Sequence, residues 1–226
     1  MDRNQKAFQL WEQGQPTEAI ELLFKEIDTH PENMDSYYNL ATMLMLAQKY
    51  EDAKAVLTLA NEKKANQSNI LYAFGNLYYQ KADYSQGIYY FSQVFTQSET
   101  FKKDAAIMLG QSYLALEQPK KALVYLLTAF QLDETDSELA LLLGNVFLQT
   151  EAFQEAYTYY DHTSKLNQEN SEAWFKKGLM GMVLAKDKEK IEADFQRSQE
   201  LNPIYYQQNL NQLQEIEAFL QANRQE

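Results

Sequence analysis

Two histidines, His30 and His162, are the side chains best suited to proton transfer or metal ligation near neutral pH. They lie in matching halves of distant segments. Neither is read with a second histidine or a carboxylate at ligand spacing on its own helix face, so both are expected near helix ends or facing solvent. The carboxylate pairs Glu51-Asp52 and Asp133-Glu134 could serve general acid–base chemistry. Their setting at helix starts or turns gives them a sufficient role there, complementing the helix dipole. The chain has no cysteine, which removes a thiol nucleophile, a thiolate zinc site and a disulfide framework, and is consistent with a reducing compartment. Every glycine except Gly14 falls inside a helical pattern, so no loop can cradle a phosphate, and no strand pattern exists to carry a nucleophile elbow. The expectation is a protein that is not an enzyme, with no metal and no cofactor.

The elements that would position any binding group follow from repetition. Small residues recur at Ala7, Ala41, Gly75, Gly110, Gly144 and Gly178, in steps of 34, 34, 35, 34 and 34. A second small column, Ala19, Ala53, Gly87, Ala122 and Ala156, drifts with the first and shows the same one-residue slip. Large apolar residues keep phase with both: Leu40, Phe74, Leu109 and Leu143 in one column, and Leu23, Leu57, Phe91, Leu126, Tyr160 and Phe195 in another. Within each unit the apolar positions recur at three and four, which is helical periodicity, so each unit is a pair of helices. The small columns are expected where two helices cross closely. A pair of this kind cannot bury its apolar face alone, so neighbours must stack on it. Seven glycines and four prolines in 226 residues are too few for a turn-rich β-fold.

Helix pairs with this period and column order resemble the tetratricopeptide repeat family, most closely in residues 103–136, where Leu109, Gly110, Tyr113, Ala122, Leu126 and Ala129 occupy the signature columns. The resemblance implies an all-α, right-handed superhelical solenoid of about six helix pairs, at residues 1–33, 34–67, 68–102, 103–136, 137–170 and 171–205. The terminal repeats depart from the pattern, with Lys6 and Lys177 where leucine is usual. Residues 206–226 are expected to form a capping helix and tail, with Tyr206, Leu210, Leu213, Ile216 and Leu220 on its apolar face.

The family resemblance places first helices on the concave side. Residues out of phase with the core columns should face it: Tyr38, Asn39, Thr42 and Met45; Tyr72, Asn76 and Tyr79; Ile107, Gln111 and Leu114; Leu141, Asn145 and Leu148; Phe175, Leu179 and Met182. Such a strip is apolar and aromatic, with an amide row at Asn76, Gln111 and Asn145 that could pair with a ligand's main chain. The basic clamp by which one subfamily holds chaperone carboxylates is absent, since Tyr38, Thr42 and Tyr72 fill those columns.

A net charge of −12 repels phosphate backbones and anionic membranes, so neither nucleic acid nor a membrane is the expected partner. No run reaches the roughly 18 apolar residues of a membrane span, and no signal core follows the N-terminus, so a cytoplasmic protein is expected. Acids without bases between Ala122 and Ser164, against five lysines between Lys176 and Lys190, suit electrostatic steering of a partner. The leading reading is a scaffold or adaptor that holds another protein or peptide by apolar anchors, with basic character fitting the charge. Self-association through the same groove and a peptide-sensing regulator are the alternatives.

Overall fold

The computed structural model describes the backbone of residues 2–222 and the side chains of 2–211, 213, 214 and 216. Within that span the chain forms thirteen α-helices and no strand. They are α1 (Arg3–Glu12), α2 (Pro16–Thr29), α3 (Met34–Leu46), α4 (Tyr50–Lys63), α5 (Ser68–Gln80), α6 (Tyr84–Gln97) and α7 (Lys102–Ala115). They continue with α8 (Pro119–Leu132), α9 (Ser137–Gln149), α10 (Phe153–Leu166), α11 (Ser171–Val183), α12 (Lys188–Leu201) and α13 (Pro203–Ala222).

Local chemistry sets the helix ends. The Asp2, Asp83, Asp136, Asn170 and Asp187 side chains accept a backbone N–H in the first turns of α1, α6, α9, α11 and α12. Pro16, Pro119 and Pro203 open α2, α8 and α13, where the missing N–H is not needed. The turn inside each pair repeats a single geometry. Gly14, Gln48, Ala82, Glu117, Glu151 and Ala185 all have positive φ, between 49° and 75°, at the pair period. The residue after each returns an N–H to a carbonyl five positions back, as in Lys49 to Leu44 and Asp83 to Tyr78. This is a left-handed helix stop of the kind glycine favours, yet only the first of the six is glycine.

Contacts divide the chain into two compact units, Met1–Gln118 and Pro119–Glu226, so α7 and α8 fall on opposite sides of the division where a single array is expected. In the first unit α1 packs on α2, α2 on α3, α3 on α4 and α5, α4 on α5, α5 on α6, and α6 on α7. In the second, α8 packs on α9, α9 on α10, α10 on α11, α11 on α12, and α13 on both α11 and α12.

In pairs other than the one holding Gly110 and Leu126, the small residue of the first helix and the large residue of the second are matched in size. A Cβ built on Gly75 would lie 2.4 Å from the Phe91 ring, one on Gly144 would lie 2.6 Å from Tyr160, and one on Gly178 would lie 2.9 Å from Phe195. An aromatic side chain of the second helix therefore fills the space a methyl group would occupy on the first. Where the small residue is alanine its counterpart is leucine, as in Ala7 with Leu23 and Ala41 with Leu57, all fully buried. The small column thus marks a socket for a side chain and not a bare backbone crossing. A second repeated contact stacks rings beside it, Tyr78 on Tyr90 at 5.5 Å and Phe147 on Tyr159 at 5.3 Å.

The departure at Lys177 has its own structural reason. Its ammonium meets Asp161 of α10 at 3.0 Å and Asp194 of α12 at 3.1 Å, and lies 4.8 Å from the Trp174 ring centroid. One cation therefore ties three helices. Burial pushes the Asp194 carboxyl up, and hydrogen bonding from Lys177 only partly offsets it. Burial also pushes Asp161 up, but Lys165 and Lys177 together pull it below its ordinary range. Lys177 is lowered by burial and raised by more through the two carboxylates.

The capping helix is present as α13, with Tyr205, Tyr206, Leu213 and Ile216 packed against the core of the second unit. Leu220, expected on the same face, lies outside the described side chains.

Two outcomes follow from this packing. Gly75→Ala should destabilise by about 1–3 kcal/mol through overpacking. Adding Phe91→Leu should recover part of the loss by recreating the Ala41–Leu57 combination, so a urea-unfolding double-mutant cycle should give a favourable coupling; additive losses would refute the size reciprocity. Lys177→Met should cost about 3 kcal/mol, the low end for orphaning a buried charge, because Lys165 still serves Asp161. The wild-type contribution of Lys177 is full below the unfolded lysine value and disappears as pH climbs above about 10.5 through the raised folded value. The variant should lack that alkaline loss and regain stability on acidification, as the orphaned Asp194 carboxyl takes up a proton. Urea melts between pH 4 and 11 would show it.

Candidate functional site

In the first unit the first helices of the pairs share an inner face. A concave pocket of about 370 Å³ is lined by Asp2, Asn4, Asn33, Asp35, Tyr38, Asn39, Asn69 and Phe101. These residues belong to α1, α3 and α5 or immediately precede α1, α3 and α7. The pocket is thus built largely at the starts of alternate helices of the unit.

The pocket's polar groups are organised. The Asn39 amide donates to Asn4 Oδ1 (3.0 Å), and the buried Asn4 amide donates to Ser36 Oγ (3.1 Å). Asn69 donates to Asp35 Oδ1 (2.9 Å). Tyr72 packs its ring 5.5 Å from Phe101 and 5.6 Å from Phe91. Burial, and then the Asp104 carboxylate, lift the Tyr72 phenol well above its ordinary value, while the Asn76 amide pulls it back only slightly. Tyr38 is raised mainly by burial, and Tyr79 by burial and the neighbouring Tyr84. All three stay protonated at any physiological pH, so they offer hydroxyl donors and no phenolate.

Of the residues expected on this face, Tyr38, Asn39, Thr42, Tyr72, Asn76, Tyr79, Ile107, Gln111 and Leu114 are half-buried. Met45 is not available to a partner, because it is only 3% exposed and belongs to the main apolar cluster. Six of the eight lining residues were missed: Asp2, Asn4, Asn33, Asp35, Asn69 and Phe101. Extending the Tyr38 column one period toward the N-terminus would have found Asn4, 34 positions earlier.

In the second unit Leu141, Asn145, Leu148 and Met182 are half-buried. Phe175 and Leu179 are buried and cannot contact a ligand, because α13 lies against α11 and brings Tyr205 and Tyr206 to within 6 Å of the Phe175 ring. The Tyr205 phenol is accordingly pushed up to about 12, by burial and then by Glu172. Asn145 is engaged internally: its Oδ1 accepts from the Tyr160 hydroxyl (2.9 Å) and from Lys176 Nζ (2.8 Å), and Lys176 also meets Glu172 at 2.6 Å. The amide row is therefore not uniform, since this member supports the buried Tyr160 ring.

The histidine reading also changes. His30 Nδ1 lies 2.8 Å from Glu26 at helical spacing, and Arg3 reaches the other oxygen of the same buried carboxylate at 3.0 Å. The i, i+4 partner that sequence reading overlooked thus exists, and it joins α2 to α1. His162 Nε2 is 3.0 Å from the Glu134 carbonyl, with its ring edge-on to Phe130. Among the described residues no three metal-ligating side chains converge. Among them too, no helix is long and apolar enough to cross a membrane.

Profiles of the tetratricopeptide repeat match residues 10–75 and 107–163, together more than half of the chain. The chain belongs to the tetratricopeptide repeat family. Among solved tetratricopeptide repeat proteins, it is similar to YrrB, described as having an unusual peptide-binding site, at 25% identity over 80% of this chain and 93% of that one with a TM-score of 0.66. It shares its fold with PilF of Pseudomonas aeruginosa, at 17% identity over 93% and 96% of the two chains with a TM-score of 0.75. A BBSome complex member, BBS4 homolog, of Drosophila melanogaster is 22% identical over 65% of this chain, and the match spans about a third (32%) of that protein's length. Tetratricopeptide repeats generally serve as non-enzymatic surfaces for binding other proteins.

The Asn145 contacts yield a direct expectation. Asn145→Ala should weaken the second unit by about 1–3 kcal/mol, because the Tyr160 hydroxyl loses its acceptor. Asn76→Ala should cost less, under about 1 kcal/mol, because its contact to the Tyr72 phenol is the weakest of the influences on that group. Thermal melts followed by circular dichroism compare the two, and equal effects would contradict the assignment.

Proposed function

We propose that this protein is an interaction scaffold, not a catalyst, that holds a segment of a partner protein along the inner face of its first helices. The observation that carries the reading is the shared pocket of the first unit, lined from four alternate first-helix positions, beside half-exposed Tyr72, Asn76, Tyr79, Ile107, Gln111 and Leu114. Aromatic and aliphatic side chains interleaved with side-chain amides suit a peptide. The rings and aliphatic groups take its apolar anchors, and the amides bond its main chain whatever its sequence. The likeness to YrrB, itself described as having an unusual peptide-binding site, supports peptide binding by a fold of this kind. The groups on this face are neutral phenols, amides and carboxylates, which bind and orient well but supply no activated nucleophile. A net charge of −12 makes an apolar segment of basic character a better partner than nucleic acid or an acidic tail.

In the second unit the proposed contact surface shrinks to Leu141, Leu148, Met182 and the free amide nitrogen of Asn145, because Phe175 and Leu179 are enclosed.

The test starts from dodecapeptides selected on the wild-type protein from a random displayed library, titrated by fluorescence anisotropy. Asn76→Ala with Gln111→Ala should weaken them about fivefold to a hundredfold, since each lost hydrogen bond is worth roughly 0.5–1.5 kcal/mol. Glu62→Lys, on the exposed side of α4, should matter little. Normal binding by the amide variant together with failure of Glu62→Lys would place the ligand on the second helices and end this reading.

A further inference from the structure

The pocket of the first unit differs from the apolar strip beside it, because charge and rings meet there. Asp35 and Asp104 occupy equivalent positions in the first turns of α3 and α7, and Asn69 takes that position on α5 between them. The steps are 34 and 35, so this is a further column of the repeat, pointing at the partner side. Asp2 and Asp35 line the pocket itself, with Tyr38 and Phe101 as aromatic walls. Asp104 lies close enough to act on both Tyr38 and Tyr72. Asp2, Asp35 and Asp104 are all exposed, so their carboxylates are open to a partner from solution. A compensating role for the helix dipole would explain acids in first turns, but it would not require them to share a concavity with two rings.

We propose that this pocket receives a lysine or arginine side chain of the bound segment, so that the first unit selects basic peptides. This rests on the groove reading given above and adds to it the residue class that is recognised. Carboxylates attract the charged head, the Tyr38 and Phe101 rings accept the cation over their faces or the aliphatic stem along them, and Asn69 holds the Asp35 carboxylate in place. A volume of about 370 Å³ admits a long side chain where a small ion would be loosely held. The carboxylates are spread along the pocket, and no group of three metal ligands converges among the described residues, which favours an extended organic cation over a divalent metal.

The experiment uses the full chain and an array of synthetic decapeptides. Each peptide carries two fixed leucines and one variable position occupied by lysine, arginine, glutamine or glutamate. Wild type should retain lysine and arginine peptides roughly tenfold better than glutamine ones at low salt, with the margin narrowing as salt screens the exposed pairs. Asp35→Asn with Asp104→Asn should erase that margin and leave glutamine peptides bound as before, with circular dichroism showing an unchanged fold. Peptides bound without a basic preference, or a preference that survives both substitutions, would overturn this proposal and leave the groove reading standing. If wild type retains no peptide of any charge, the groove reading falls, and this proposal with it.

Discussion

A ring of one helix occupies the place of a missing methyl group on the other, and the remaining structure depends on that exchange. Gly75 with Phe91, Gly144 with Tyr160 and Gly178 with Phe195 fix how deeply two helices of a pair can interlock, and the alanine–leucine pairs reach the same end with a smaller step on each side. Interiors are packed too tightly to absorb an additional carbon without a shift, so this fit constrains the distance between helices. That distance determines which side chains of the first helices remain outside the core, and hence what the inner face can offer.

The two units use that inner face differently. In the first, Tyr38, Tyr72 and the amides around them stay half-exposed beside a pocket. In the second, α13 folds its tyrosines over Phe175, and Lys177 binds α10, α11 and α12 through two carboxylates. A buried ion pair is a weak source of stability compared with an apolar core, but it tolerates only one arrangement of its partners. At the last repeat, where α13 stands in for a further helix pair, Lys177 joins α10, α11 and α12 from the column that holds Leu40, Leu109 and Leu143 in earlier repeats.

Most of the helical layout could be read from the chain, because apolar columns recurring at a fixed period leave few alternatives. The contact partners were less legible. Met45, Phe175 and Leu179 occupy outward columns by phase, yet they are buried, because phase says where a side chain points and not how close the next helix comes. Asn145 looked like a free amide, but its acceptor is used by Tyr160, fifteen residues ahead and on another helix. His30 is exposed at the C-terminal cap of α2, as expected, but its i, i+4 partner Glu26 stood at helical spacing and was overlooked. The pocket acids escaped notice because Asp2 caps α1 and Asp35 sits in the first turn of α3, each unremarkable until the helices bring them to one pocket.

The helix stops at Gln48, Ala82, Glu117, Glu151 and Ala185 share a left-handed backbone that costs little for glycine and more for any other residue. None of them is glycine, the residues being glutamine, alanine and glutamate, while their φ angles agree to within 12°. In a chain built from repeats of one unit, the feature shared at this point is a conformation and not an amino acid. The hydrogen bond from the next N–H to the carbonyl five positions back closes the turn whichever residue stands there. Divergence among the repeats is therefore better measured by geometry than by letters, and a search that scores letters alone will underestimate how alike these six turns still are.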